Sequence, residues 1–253
     1  MSPTVLVTRP AADVPELVAA LDERGVDAVA VPTVTIDRAT AAVGVDAMLG
    51  GGLDDADWLV VTSANGAAAI AERMAATTAV LPEHTRLAAV GPATAGALEA
   101  AGLRVDHVPD VYRTVAIADG LGDLVGRHVV LARADAATPD LRDALEARGA
   151  HVTELVAYRT IEGPAESRDP LHGALQRDLD GVAFTSGSTV RGLLRLASPT
   201  DRQRARAIPA FCIGPVTAAT ARRFGFDVEA VADPHTAGGL ADAIARDLKR
   251  GDR

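Results

Sequence analysis

This chain has little from which to build a covalent staple, a metal cage or a nucleotide cradle. Its 253 residues include one cysteine, Cys212, which excludes an internal disulfide and a cysteine-rich metal site. Cys212 lies in the apolar run Ala210-Phe211-Cys212-Ile213 and reads as a buried structural thiol. Aromatic residues make up only 3%, so the cores must be built from Ala, Val and Leu. The single lysine, Lys249, lies near the C-terminus, and no glycine fingerprint follows a strand, so neither nucleotide-binding signature is present. The six histidines are scattered without ligand spacing, and no metal is expected. His235, beside Thr236 at a loop tip, reads either as a ligand contact or, more simply, as a surface residue. No apolar run reaches the 18 residues of a membrane span, and no basic-then-apolar leader opens the chain. A cytoplasmic, soluble protein without membrane contact is expected. The net charge of −9 and the lack of a basic stripe exclude nucleic acid as the main partner. They do not exclude a small anion, which local groups would hold.

What the chain does have is one pattern written twice. Thr62-Ser63 and Thr185-Ser186 each close a short apolar run; Gly91-Pro92 and Gly214-Pro215 follow. Gly102 pairs with Gly225, and Ala118-Asp119 with Ala241-Asp242, always 123 residues apart (185−62, 214−91, 225−102 and 241−118). The opening unit is duplicated at an offset of 124, with Arg9, Leu21 and Gly25 answering to Arg133, Leu145 and Gly149. A single long repeat implies two like domains rather than a solenoid of short units. It also implies two like pockets facing each other across a cleft.

Short apolar runs alternate with amphipathic stretches. The runs near residues 5–7, 28–31, 59–61, 87–90, 129–131, 155–157, 182–184 and 211–213 do not alternate internally, as befits parallel strands covered on both faces. Helices are expected over about 13–24, 65–75, 93–101, 115–125, 138–148, 187–197, 216–224 and 237–249, several followed by a capping glycine. The alternation gives an α/β fold class. Two extended, acid-ended segments, Thr33 to Asp37 and Tyr158 to Glu162, suit linker strands lying side by side. Gly50-Gly51-Gly52 and Glu162 to Pro170 look the most flexible.

The chemistry-bearing positions fall where strands end and helices begin. Thr62, Ser63 and Asn65 open one helix, and Thr185, Ser186 and Ser188 its twin. A hydroxyl there caps the helix, and the free first-turn amides attract an anion. Gly91 and Gly214, each followed by proline and then by Thr94 or Thr217, make a second pair of turns. Two readings stand: four ordinary helix caps, or ligand turns at the carboxyl ends of an open α/β sheet. Arg9 and Arg133, one or two residues past matched strands, read either as carboxylate clamps or as surface ion pairs. Of the two tyrosines, Tyr112 and Tyr158, the latter falls in the second linker segment. It reads either as packing at the domain junction or as a phenolic proton donor.

Together these residues resemble the uroporphyrinogen-III synthase family over nearly the whole chain. The likeness rests on Val5-Leu6-Val7-Thr8-Arg9-Pro10, Thr62-Ser63-Ala64-Asn65-Gly66, Val90-Gly91-Pro92-Ala93-Thr94-Ala95, Ala157-Tyr158-Arg159-Thr160, Phe184-Thr185-Ser186-Gly187-Ser188 and Ile213-Gly214-Pro215-Val216-Thr217-Ala218. The resemblance implies two parallel-sheet α/β domains joined by a two-stranded linker, with the N-terminal unit swapped into the C-terminal domain. Residues 1–35 plus 163–253 would form one domain, 38–158 the other, and 33–37 with 158–162 the linkers. It further implies a hydro-lyase of heme biosynthesis, monomeric and without cofactor. The enzyme would close hydroxymethylbilane to uroporphyrinogen III in the interdomain cleft, losing water and inverting ring D. Tyr158 would assist departure of the terminal hydroxyl, and the paired turns would hold the substrate's carboxylates. A transient contact with the preceding pathway enzyme is a further expectation. The competing reading is a two-lobed cytoplasmic binding protein for a small polycarboxylate, without catalysis. A two-domain transferase would need a nucleotide or sugar-phosphate fingerprint that the chain lacks.

Overall fold

Each short apolar run becomes a strand and each amphipathic stretch behind it contains a helix. The computed structural model describes residues 2–110 and 116–251. Tyr112, Arg113 and the expected helix start at 115 lie outside the described residues. The chain runs β1 (Thr4–Val7), α1 (Val14–Asp22), β2 (Asp27–Ala30), β3 (Val34–Asp37), α2 (Ala42–Ala47), β4 (Trp58–Val61), α3 (Ala64–Thr77), β5 (Arg86–Ala89), α4 (Pro92–Ala100), α5 (Ile117–Gly120), β6 (His128–Ala134), α6 (Asp140–Ala147) and β7 (His151–Glu162). It continues with α7 (Arg168–Ala174), β8 (Gly181–Phe184), α8 (Gly187–Leu196), α9 (Pro199–Arg206), β9 (Ala210–Cys212), α10 (Pro215–Arg223), β10 (Val228–Val231) and α11 (Ala237–Gly251).

Contacts divide the chain into two α/β units. The first comprises Met1–Thr35 and Ile161–Arg253, the second Ile36–Thr160. The first unit holds a five-stranded sheet in the order β10-β9-β8-β1-β2; the other sheet has the order β3-β7-β6-β4-β5. Strand β1 pairs in parallel with both β8 and β2. In the other sheet β4 pairs in parallel with β5 and β6, and β6 with β7.

The duplication extends to register. Leu59 faces Val130 and Val60 faces Leu131, while Val182 faces Leu6 and Ala183 faces Val7. An isolated bridge between Ala88 and His107 stands where Phe211 pairs with Ala230 in the other copy. Strand β1 therefore occupies beside β8 the place that β6 occupies beside β4.

Both sheets are covered on both faces. Leu6 belongs to one buried cluster with Val182 and Phe184, while Val5 and Val7 belong to another with Leu17 and Ile244. Leu59 and Val61 point one way, Trp58 and Val60 the other. Full burial of each such side chain stabilises by about 1.5–3 kcal/mol, which explains the unbroken apolar runs. Gly25, Gly102, Gly149 and Gly225 end their helices with φ between 73° and 87°, a region a Cβ disfavours.

Some elements differ from the sequence expectation. The helix expected over 115–125 is the short α5, because Gly120 and Gly122 (φ 80°) turn the chain away. The expected strand at 155–157 and the extended segment after it are one strand, β7, of 12 residues. The segment from Glu162 to Pro170 is ordered by a single 3₁₀ turn and the start of α7, with Ser167 buried. Helix α9 carries its own start signal: Ser198 accepts from the Asp201 amide and Pro199 occupies the first turn.

The Cys212 side chain is fully buried, and burial pushes its thiol up to about 11, with Arg222 opposing weakly. At pH 8 about one thiol in a thousand would then be ionised, and only the thiolate attacks. Native protein should therefore resist a thiol reagent at pH 8 for as long as it stays folded. Denaturation should release one titratable thiol per chain. Rapid labelling of folded protein would contradict the buried placement.

Candidate functional site

The turn after β4 is built by the residues that cap α3. Ser63 is extended, and its Oγ accepts from the Gly66 amide at 3.1 Å, satisfying a first-turn donor. Asn65, the alternative cap, instead stands half-buried in the first turn. Thr62 Oγ1 donates to the Ala132 carbonyl at 3.3 Å, tying the turn to β6. Ser63 Oγ also lies 3.0 Å from the Tyr158 hydroxyl.

A bulge brings Tyr158 there. In the β6–β7 ladder Arg133 faces Val156 but Ala134 faces Tyr158, so Ala157 is an extra residue in β7. The simple alternation of faces fails at that point. Ala157 and Tyr158 consequently both enter the same buried cluster, with Tyr158 8% exposed. The ring packs in that cluster and the hydroxyl reaches Ser63.

Thr62, Ser63, Arg133 and Tyr158 line one concavity of about 310 Å³. Its remaining wall is Ala134, Ala136, Ala137, Thr138 and Leu141. Sequence reasoning missed that wall, since alanines carry no chemical signal. Arg133 is nearly fully buried and donates to the Glu154 carboxylate at 2.5 Å and to the Thr138 carbonyl. Its charge is already engaged within its own unit, and its position holds the 134–138 wall.

The twin turn in the first unit has the same helix start and different wiring. Ser186 caps α8 through a capping box, accepting from the Thr189 amide at 3.2 Å while Thr189 Oγ1 accepts from the Ser186 amide at 3.3 Å. Thr185 is half-buried, and Ser188 Oγ accepts from Arg191 at 3.2 Å. The position matching Tyr158 is Val34, a buried residue without a hydroxyl. Arg9 pairs with the exposed Glu16 at 3.0 Å, and its buried Nε meets no acceptor among the described residues.

Gly91 and Gly214 begin α4 and α10 in extended conformation (φ −167° and −168°), which any residue adopts. Backbone dihedrals therefore do not demand glycine at either turn. At Gly214 an added Cβ would lie 3.6 Å from the His235 ring, an ordinary contact. Thr94 and Thr217 are each 5% exposed, so both face inward from the first turns. The first-turn amides, rather than these hydroxyls, are what α4 and α10 present at their ends.

The chain matches the family model described as uroporphyrinogen-III synthase HemD over residues 15–242. A uroporphyrinogen-III synthase of Synechococcus elongatus is 28% identical over 248 residues, covering 95% of this chain and 94% of the relative. One from Chlorobaculum parvum is 24% identical, covering 97% and 99%. Among solved structures, a mutant uroporphyrinogen III synthase from Thermus thermophilus superposes with a TM-score of 0.71 at 22% identity, covering 98% of this chain and all of that one. The uroporphyrinogen-III synthetase of Helicobacter pylori gives 0.63 at 16% identity, over the whole of both chains. Those two likenesses establish the two-unit α/β fold, and the family model establishes more. The chain belongs to the uroporphyrinogen-III synthase family.

Proposed function

We propose that this chain closes hydroxymethylbilane to uroporphyrinogen III, with loss of water and inversion of ring D, and that Tyr158 assists the first step. The supporting observation is the Gly66–Ser63–Tyr158 chain of hydrogen bonds. Ser63 Oγ has one proton and already accepts from the Gly66 amide. In this reading that proton is directed to the Tyr158 oxygen 3.0 Å away, and the phenolic proton is available to a third group. The third group is assigned as the terminal hydroxyl of the substrate.

In the first step the C–O bond breaks, the phenol donates its proton, and water departs. The adjacent pyrrole supplies the electron pair and becomes an azafulvenium. Ring D then attacks through its substituted carbon, giving a spiro intermediate that fragments and closes again in the inverted sense. The proton lost when the ring regains aromaticity restores the phenol. Because the pyrrole provides the push, the protein's main tasks are to orient the folded chain and exclude water.

The substrate's carboxylates are assigned to the first turns of α3, α4, α8 and α10, where free amides and the helix dipole favour anions. Thr62, Asn65, Thr185, Ser186, Ser188, Gly91, Gly214 and Arg9 belong to that set. Thr94 and Thr217, both buried, support their turns from beneath. Arg133 positions the 134–138 wall. In the same reading β3 and β7 carry the linker strands, and the segment 1–35 is the exchanged element. A transient contact with the enzyme that supplies hydroxymethylbilane fits the substrate's tendency to close unaided. Among the described residues no helix is long and apolar enough to cross a membrane, and a cytoplasmic site of action is proposed.

Incubation with hydroxymethylbilane, oxidation and chromatography of the isomers tests the reaction. Type III product is expected; type I alone would defeat the assignment. Tyr158→Phe should lower the rate about tenfold, below the 10²–10⁴ of an obligatory general acid. A loss beyond a thousandfold would mean the phenol is indispensable. Ser63→Ala should cost about 1 kcal/mol of stability through the lost cap. In the Tyr158→Phe background it should add little further rate loss, because the two act as one unit. Arg133→Ala should destabilise by about 1–3 kcal/mol in denaturant melts, since it strands the Thr138 carbonyl and Glu154. Unchanged stability with a raised KM would instead make Arg133 a substrate clamp.

A further inference from the structure

The duplication builds one groove twice and lines it in two ways. In the second unit a groove of about 650 Å³ lies between α3 and α4, lined by Ala68, Ala71, Glu72, Ala79 and Ala101 among others. In the first unit a groove of about 410 Å³ is bounded by α8, α9 and the end of α10. Its lining is Arg191, Leu194, Arg195, Arg202, Arg206 and Phe224. These stand at the positions of Ala68, Ala71, Glu72, Ala79, Glu83 and Ala101 (191−68, 202−79 and 224−101 all equal 123). The fold makes the groove without any cation, so the four guanidiniums are an addition to one copy. Two of them replace acids.

The arginines are also held in place. Arg202 Nε donates to the Leu194 carbonyl and Arg206 Nε to the Phe224 carbonyl, both at 2.9 Å. Each guanidinium is thus pinned at its base, and no ion pair to a described carboxylate engages its outer nitrogens. Arg191 and Arg195 share one acid, Glu162, at 2.7 and 3.2 Å. Four positive charges meet one negative charge, in a chain whose net charge is −9. Arg202 and Arg206 cap the ends of α8 and α10 through Nε alone, whereas α3 and α4 end without any arginine at the matching places. Leu194 and the partly buried Phe224 add an apolar wall.

We propose that this groove binds a small polyanion, bearing two or more phosphate or carboxylate groups, at a site separate from Tyr158. Planar guanidiniums match both kinds of oxyanion through paired hydrogen bonds. Leu194 and Phe224 would receive an apolar or aromatic part of the ligand.

The full chain, titrated calorimetrically at low salt with tripolyphosphate, ATP and citrate, tests this. At least one should bind with a submillimolar Kd that weakens as salt rises. Arg202→Ala with Arg206→Glu, the residues at the matching positions of the other unit, should weaken that binding at least tenfold. Arg195→Ala, at a distance from both carbonyl anchors and from the first turn of α8, should weaken it too. Circular dichroism and type III formation should be unchanged in each, which keeps this test apart from that of the cyclase. Preference for tripolyphosphate and ATP would assign a phosphate ligand, and preference for citrate a carboxylate; either supports the site. No binding by any of the three, or equal binding by both variants, would overturn it.

Discussion

The ladder that seats β1 between β8 and β2 is the constraint on which the first unit depends. Strand β1 is only four residues long, yet it is bonded on both sides and covered on both faces. Leu6 serves the core on one side of the sheet, and Val5 and Val7 serve the other. Without β1 the sheet would break between β8 and β2, and both clusters would lose their centre. Strand β6 does the same for the second sheet, in the same register. Parallel pairing makes such a strand indispensable, because all the strand ends bearing polar turns must emerge at one edge.

Two copies of one scaffold have been put to unequal use. Ser63 and Ser186 cap equivalent helices, but Ser63 meets a phenol while Ser186 closes a box with Thr189. The difference lies one strand away, where a bulge at Ala157 directs Tyr158 into a core cluster, while the matching position in the other copy is Val34, which has no hydroxyl. The outer grooves diverge in the same manner, alanine-lined in one unit and arginine-lined in the other. Duplication conserves backbone geometry cheaply, since packing density limits what the core accepts. Side chains at helix starts and groove walls are freer to differ, and there the copies part company.

Arginine supplies nearly all the positive charge, and many of its guanidiniums are committed locally. Arg38 grips Glu72 with two bonds, Arg73 does the same with Asp46, and Arg133 is enclosed with Glu154. An acidic chain can still hold anions through amides at helix starts and through cations left without a carboxylate. Arg202 and Arg206 are of that second kind.

Much of this was legible in residue order alone. Helix caps, glycine stops and apolar runs are local physics, so the α/β alternation, the turns at 62–63 and 185–186, and the duplication could be read directly. What a residue does once placed could not. Arg133 looks like a free clamp until β6 lies beside β7 and Glu154 takes its charge. Thr94 and Thr217 look like ligand hydroxyls until the helices pack and turn them inward. Nothing in the spacing announces that Ala157 is a bulge, because a bulge is defined by the partner strand. The sequence by itself determined which elements form and where each polar turn falls, since propensity and capping act over four or five residues. Only the tertiary structure decided which charges are spent, which hydroxyl meets Tyr158 and which groove is cationic, because those follow from register and burial between segments up to 218 residues apart.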